Sequence, residues 1–253
     1  MTLTREQRVK AGPRMEVAYY QVWPDGRRVP ERAPKEKRST PAQKKYNHDQ
    51  AIKKFLLLVL VNFIKGDILL HLTFDDAHLP ESWEQVHRLL KRWRKRHGLP
   101  EMKYAYTVEA TVRKSGKRAG ELHWHIHLFM SRMPRDVAED LWPEGVRGNA
   151  DRFNPDRFGW EAAAKYCAKE LGDGGKRFAY SRNLKKPERP RPRDGRVTQR
   201  QVRKWCLERS TDAAFWERRF PGYRFAGFEK PPELCHNPYN GYWYLTVILY
   251  RRE

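Results

Sequence analysis

Three stretches of the chain alternate with period two, and together they restrict the fold more than any other feature. Ile68, Leu70, Leu72 and Phe74 point one way, and His71, Thr73 and Asp75 the other. Tyr104, Tyr106, Val108, Ala110 and Val112 share one face; Thr107, Glu109, Thr111 and Arg113 share the opposite one. Leu122, Trp124, Ile126, Leu128 and Met130 alternate with His123, His125 and His127. Side chains along a strand point alternately to its two faces, so each stretch reads as a strand with one buried face. Lys114-Ser115-Gly116-Lys117-Arg118-Ala119-Gly120 joins the second and third as a hairpin.

Helical patterns lie around these strands. Residues 81–97 place Trp83, Val86, Leu90 and Trp93 inward, and His97-Gly98 followed by Pro100 ends the run. Residues 159–171 form a second such pattern. Residues 49–65 read as a helix, with a strand at Phe55–Val61 as the alternative. Residues 1–48 are basic, proline-bearing and weakly periodic, which predicts a flexible arm or an irregular cover that touches DNA. The proline-rich basic run 184–196 reads as a linker, followed by a short helix at 198–209 and a buried strand at 242–250. The expected division is therefore an arm (1–48), a central domain (49–183) and a C-terminal linker with a helix and strand (184–253).

Charge narrows the partner. The chain has 253 residues, with 52 Lys and Arg against 31 Asp and Glu, a formal charge of +21. That excess makes a polyanion the expected partner. Aromatics are 13% of the chain and are interspersed with the cations, which suits a single strand whose bases stack while its phosphates meet positive charge. Phe55–Ile64 is apolar but short and flanked by lysines, so no membrane segment is expected. Cys167, Cys206 and Cys235 are scattered and odd in number, which fits a reducing cytoplasm.

The histidine strand carries the clearest chemical signal. His123, His125 and His127 lie on one face, and imidazoles two residues apart on a strand can converge on a divalent ion. With a symmetric hairpin centred on Lys117, Glu109 lies across from His125 on that same face. A shift of register by two residues would move that partner. His125, His127 and Glu109 would form a mixed nitrogen and oxygen site suited to Mg or Mn acting on a phosphate. His123 and Thr73 are further candidates on that face.

The second signal is on the helical stretch Trp160-Glu161-Ala162-Ala163-Ala164-Lys165-Tyr166-Cys167-Ala168-Lys169-Glu170-Leu171. At about 100° per residue, Trp160, Ala163, Ala164, Cys167 and Leu171 form the apolar stripe. Tyr166 and Lys169 fall away from it and are three apart, hence neighbours. A phenol near a cation ionises more readily, which makes Tyr166 a candidate nucleophile and Lys169 its helper.

A strand with His125-Ile126-His127 followed by a helix with Tyr166-Cys167-Ala168-Lys169 resembles the HUH endonucleases, in particular the single-tyrosine rolling-circle replication initiators. Leu72-Thr73-Phe74-Asp75 resembles their first motif, and the likeness spans residues 68–171. It implies an α+β fold, with a ferredoxin-like (RRM-like) antiparallel sheet of about five strands and helices on one face. It implies that Tyr166 attacks a single-stranded DNA phosphate activated by Mg or Mn, leaving a 5′-phosphotyrosine and a free 3′-OH that are later rejoined. Lys169 would orient the phosphate. Lys114, Lys117, Arg118 and Lys165 are candidates for contacts to the DNA backbone. Position 170 is Glu and no second Tyr stands near Tyr166, unlike the two-tyrosine initiators. Gly172-Asp173-Gly174-Gly175-Lys176 lacks phosphate-loop spacing, so a separate helicase would open the duplex, in a bacterial cytoplasm. A transposase or mobilisation relaxase of the same chemistry is the alternative. A non-catalytic single-strand nucleic-acid binder is the second alternative.

Overall fold

The computed structural model describes residues 2–23, 40–74, 83–99, 101–112, 119–131, 133–140, 142, 146–151, 160–168 and 178–252. Along the chain the first elements are β1 (Leu3–Ala11), β2 (Arg14–Val22), α1 (Pro41–Asn62), β3 (Ile68–Phe74), α2 (Trp83–Arg96), β4 (Tyr104–Val112) and β5 (Leu122–Met130). Then come α3 (Arg135–Asp140), β6 (Val146–Asp151), α4 (Glu161–Ala168), β7 (Phe178–Tyr180), β8 (Arg193–Val197), α5 (Gln199–Glu208), α6 (Ala213–Arg219), β9 (Tyr223–Phe228) and β10 (Leu245–Arg251). The class is α+β. The elements divide into two units, one of residues 39–186 and one of residues 1–38 with 187–253.

The middle unit is built on an antiparallel sheet of order β6-β3-β5-β4-β7. Its register follows from the alternation in the sequence, because slipping one residue would turn every apolar side chain to the wrong face. On one face Leu70, Leu72, Tyr106, Val108, Ile126 and Leu128 are buried against Leu90 and Trp93 of α2 and Ala138 of α3. Trp93 stacks on Trp142, with centroids 4.6 Å apart. Gly148 of β6 lies under that indole, where an added Cβ would stand 2.8 Å from Trp142 Cδ1.

The opposite face of β5 carries the histidines at one end and Phe129 at the other. Phe129 is fully buried against Phe55 and Phe63, from α1 and its C-cap, and Trp160, just before α4. Helices therefore cover both faces of the sheet and not one alone. The reason is visible in β5, where the polar face becomes apolar at Phe129 and needs its own cover. Residues 49–62 are helical, three short of the expected end because Phe63 caps the helix in an extended conformation, and the strand alternative for Phe55–Val61 is excluded. The helix starts earlier, at Pro41, because Thr40 accepts the Gln43 N–H and proline suits the first turn. The expected inward residues Trp83 and Val86 have side chains outside those described.

The second unit corrects the arm-and-linker division. Residues 3–11 and 14–22 are paired strands, in a five-stranded sheet of order β8-β1-β2-β10-β9. Their strand pattern is masked because polar groups point inward and are paired there. Glu6 is buried and meets Arg8 at 2.7 Å, and buried Arg14 meets Glu16 at 2.9 Å and donates to the Tyr250 hydroxyl at 3.1 Å. The expected linker supplies β8, whose Asp194 takes a two-pronged contact from Arg5 at 2.7 Å on each oxygen. That contact holds the Asp194 carboxyl below its ordinary range. The prolines precede β8 at the sheet edge, where a missing N–H costs nothing. The core of this unit gathers Met15, Val17, Tyr19, Trp205, Trp216, Val247 and Leu249. Among the described residues, no helix is long and apolar enough to cross a membrane.

Candidate functional site

The polar end of the middle sheet collects side chains from three neighbouring strands. Glu109 of β4 pairs in register with His125 of β5, and Thr107 with His127. On the other side of β5, His71 of β3 pairs with His127, and Thr73 with His125. Residues directly opposite in an antiparallel pair share a face. Glu109, His125, His127, His71 and Thr73 therefore share one.

His127 is the centre of this cluster. It is buried, while His71, His125 and Glu109 are half-buried. Its Nε2 stands 3.0 Å from Glu109 Oε2, and its Nδ1 stands 2.8 Å from His71 Nδ1. Both imidazole nitrogens are thus engaged, one by a carboxylate and one by a second imidazole.

Tyr166 comes to the same place from α4. Its ring centroid lies 5.6 Å from that of His127 and 6.5 Å from that of His71, edge to face in both cases. It is 62% exposed, so the phenol is open to solvent. The helix is fixed by its apolar stripe, with Trp160, Ala163, Ala164 and Cys167 all buried as the spacing predicts. A hydrogen bond from buried Thr107 Oγ1 to the Cys167 carbonyl, 2.7 Å long, ties α4 to β4. The neighbouring thiol of Cys167 is no competitor as a nucleophile. Burial pushes its pKa up, and the negative charge of Glu109 pushes it further.

The donors suit a divalent cation in type and spacing. An octahedral ion with bonds of about 2.1 Å sets neighbouring ligands about 3 Å apart. Glu109 Oε2 and His127 Nε2 have that separation, at 3.0 Å. His125 stands beside Glu109 in the register as a third donor. Among the described residues, no three His, Cys, Asp or Glu side chains already converge on a single point.

The other expected site residues are distributed as follows. The side chain of His123 lies outside those described, as do Lys169 and the loop residues Lys114, Lys117 and Arg118. Lys165 is exposed but forms an ion pair with Glu161 one turn earlier on α4, so its charge is partly answered within the helix. Two residues were not singled out from sequence. His71 joins the cluster only through a pairing 56 positions distant, and its one local signal was its phase with Thr73. Arg147 of β6 is exposed and pairs with Thr73, which brings a cation to the same face.

Comparison of this chain with models of protein families, with curated proteins and with solved structures finds no match.

Proposed function

We propose that this protein is a single-strand DNA nickase and strand transferase that starts replication of a small circular replicon, with Tyr166 as nucleophile. The observation that carries the reading is the meeting of Tyr166 of α4 with His127 and His71 of the sheet, where His127 also meets Glu109. Core tyrosines in this unit look different: Tyr106 is fully buried, and burial pushes its phenol up. Tyr166 instead faces outward beside a nitrogen and oxygen donor set.

In this reading His125, His127 and Glu109 hold a divalent ion, Mg or Mn, which when bound polarises the scissile phosphate. Tyr166 releases its phenolic proton to solvent and its oxygen attacks phosphorus. The new Tyr–O–P bond forms as the P–O3′ bond breaks, and the departing 3′ oxygen takes a proton. The downstream strand stays on the protein as a 5′-phosphotyrosine, and the free 3′-OH can prime synthesis. Arg147 lies where it can meet a backbone phosphate, and Lys169, Lys114, Lys117 and Arg118 are proposed to assist. The chain needs a separate helicase to extend the opening in duplex DNA.

A 3′-labelled pool of single-stranded oligonucleotides, incubated with the protein and Mn2+ and run on a denaturing gel, tests the proposal. The label should migrate with the protein, and Tyr166→Phe should abolish that band. A band that survives Tyr166→Phe would remove the nucleophile assignment, and no band with the native protein would remove the enzymatic reading.

A further inference from the structure

The contact between His71 and His127 has a consequence for how the site can bind metal. Two imidazole nitrogens 2.8 Å apart cannot both carry protons or both present lone pairs, so one donates and the other accepts. The opposite nitrogen of His127 faces Glu109. For that Nε2 to offer a lone pair to a cation shared with Glu109, the proton of neutral His127 must sit on Nδ1. His71 Nδ1 must then be the acceptor, with the His71 proton on Nε2.

We infer that His71 is a positioning residue, which supplies the acceptor for His127 Nδ1–H and so stabilises the tautomer whose Nε2 ligates when metal binds. The inference rests on the reading of this face as a divalent-metal site. The geometry supports it in three ways. The two histidines are directly opposed on neighbouring strands, so their separation is set by the sheet and not by flexible loops. Their rings meet edge to face, with an interplanar angle of 87°, which points one ring's nitrogen at the other. His127 is 4% exposed, so water is poorly placed to substitute for a lost partner.

The switch keeps the proton count of the pair: His127 Nε2 releases one proton to solvent, the shared proton passes between the two Nδ1 atoms, and His71 Nε2 takes one proton from solvent. Before metal binds, the Glu109 carboxylate favours a proton on His127 Nε2, and His71 Nδ1–H then donates to His127 Nδ1. In the ligating state His127 Nδ1–H donates to His71 Nδ1, and His71 carries its proton on Nε2. Two protons serve the pair in both states. A partner able to act as donor in one state and acceptor in the other is what an imidazole provides.

The test uses Mn2+ alone as probe, with binding to the full chain followed by electron paramagnetic resonance. His71→Phe keeps a ring but removes the acceptor, and should weaken Mn2+ binding roughly tenfold or more, the usual effect of losing such a partner. His71→Asn places an amide oxygen near the position of Nδ1 and should restore binding to within a few fold. Equal binding by native protein and His71→Phe would overturn this inference alone. Equal weakening in Phe and Asn variants of unchanged circular dichroism would also overturn it, by assigning His71 a packing role. No Mn2+ binding by the native protein would overturn the metal-site reading and this inference with it. Long-range proton–nitrogen spectra of the native protein with Mg2+ give a check that needs no variant. A proton on His127 Nδ1 and on His71 Nε2 is expected, and a proton on His71 Nδ1 would contradict the proposal.

Discussion

Replacing Thr107 by Val removes one hydroxyl and leaves the side chain's outline nearly intact. That hydroxyl donates to the Cys167 carbonyl at 2.7 Å, and Thr107 is 1% exposed, so water cannot easily take its place. A buried acceptor that loses its donor costs about 1–3 kcal/mol. The unit spans residues 39–186, so it has 186 − 39 + 1 = 148 residues. For that size each kcal/mol lowers the Tm by about 2–4 °C, so a cost of about 2 kcal/mol predicts a drop of about 4–8 °C. The functional effect should be larger than the stability effect suggests. Cys167 follows Tyr166 on α4, so loosening this tie lets the phenol drift from His127, and a shift of about 1 Å in a reacting group can cost on the order of a hundredfold. Calorimetry and the adduct assay measure the two effects separately. Thr107→Val should melt early and form adduct at least tenfold more slowly while retaining DNA binding, and Thr107→Ser should behave as the native protein. A Thr107→Val variant with native Tm and native adduct rate would show that the hydrogen bond neither stabilises α4 nor positions Tyr166.

Two further predictions concern paired carboxylates. Glu139 accepts the Ala150 N–H at 2.8 Å and meets Arg135 at 3.0 Å, and these contacts, the amide first, lower its pKa from the ordinary 4.5. Because the folded value is the lower one, this contribution to stability is present above the ordinary glutamate value and is lost as pH falls through the folded one. The protection of the Ala150 amide, its exchange rate measured against that of an unstructured amide at the same pH, should therefore fall at acid pH, whereas Glu139→Gln should flatten that dependence; an unchanged acid profile in the variant would show that Glu139 is not its source. Glu16→Ala should destabilise the other unit by about 3 kcal/mol or more, because it removes a 2.9 Å partner from an Arg14 whose side chain is only 5% exposed. Chemical denaturation checks this, and a loss under about 1 kcal/mol would mean that Tyr250 and the surrounding groups satisfy Arg14 without Glu16.

The middle sheet was legible because its strands obey one simple rule: β3, β4 and β5 alternate cleanly. The hairpin centred on Lys117 placed Glu109 opposite His125, as the register has it. The stripe of α4 was equally plain, and it separated Tyr166 from the core. What escaped was long-range. β1 reads Leu-Thr-Arg-Glu-Gln-Arg-Val-Lys-Ala, and its inward positions include Thr4 and Glu6, which local patterning takes for solvent. Glu6 is answered by Arg8 on its own strand at 2.7 Å and by Arg219, far along the chain, at 3.7 Å. His71 escaped for a related reason. Alone among leucines it looks like a surface histidine, and its meaning comes from a residue on another strand.

Strand β10 sits between β2 and β9, so the earliest hairpin of the chain waits for nearly its last residues. From Val22 to Leu245 is 245 − 22 = 223 positions. At synthesis rates of roughly 5–20 residues per second, a ribosome takes about 10–45 s to supply that strand. Meanwhile the emerging hairpin holds an open backbone edge along β2, next to Met15, Val17 and Tyr19, which are buried in the finished unit. Nascent chains in that interval present an adhesive edge, and the yield of folded protein should be sensitive to elongation speed and to chaperones that shield such edges.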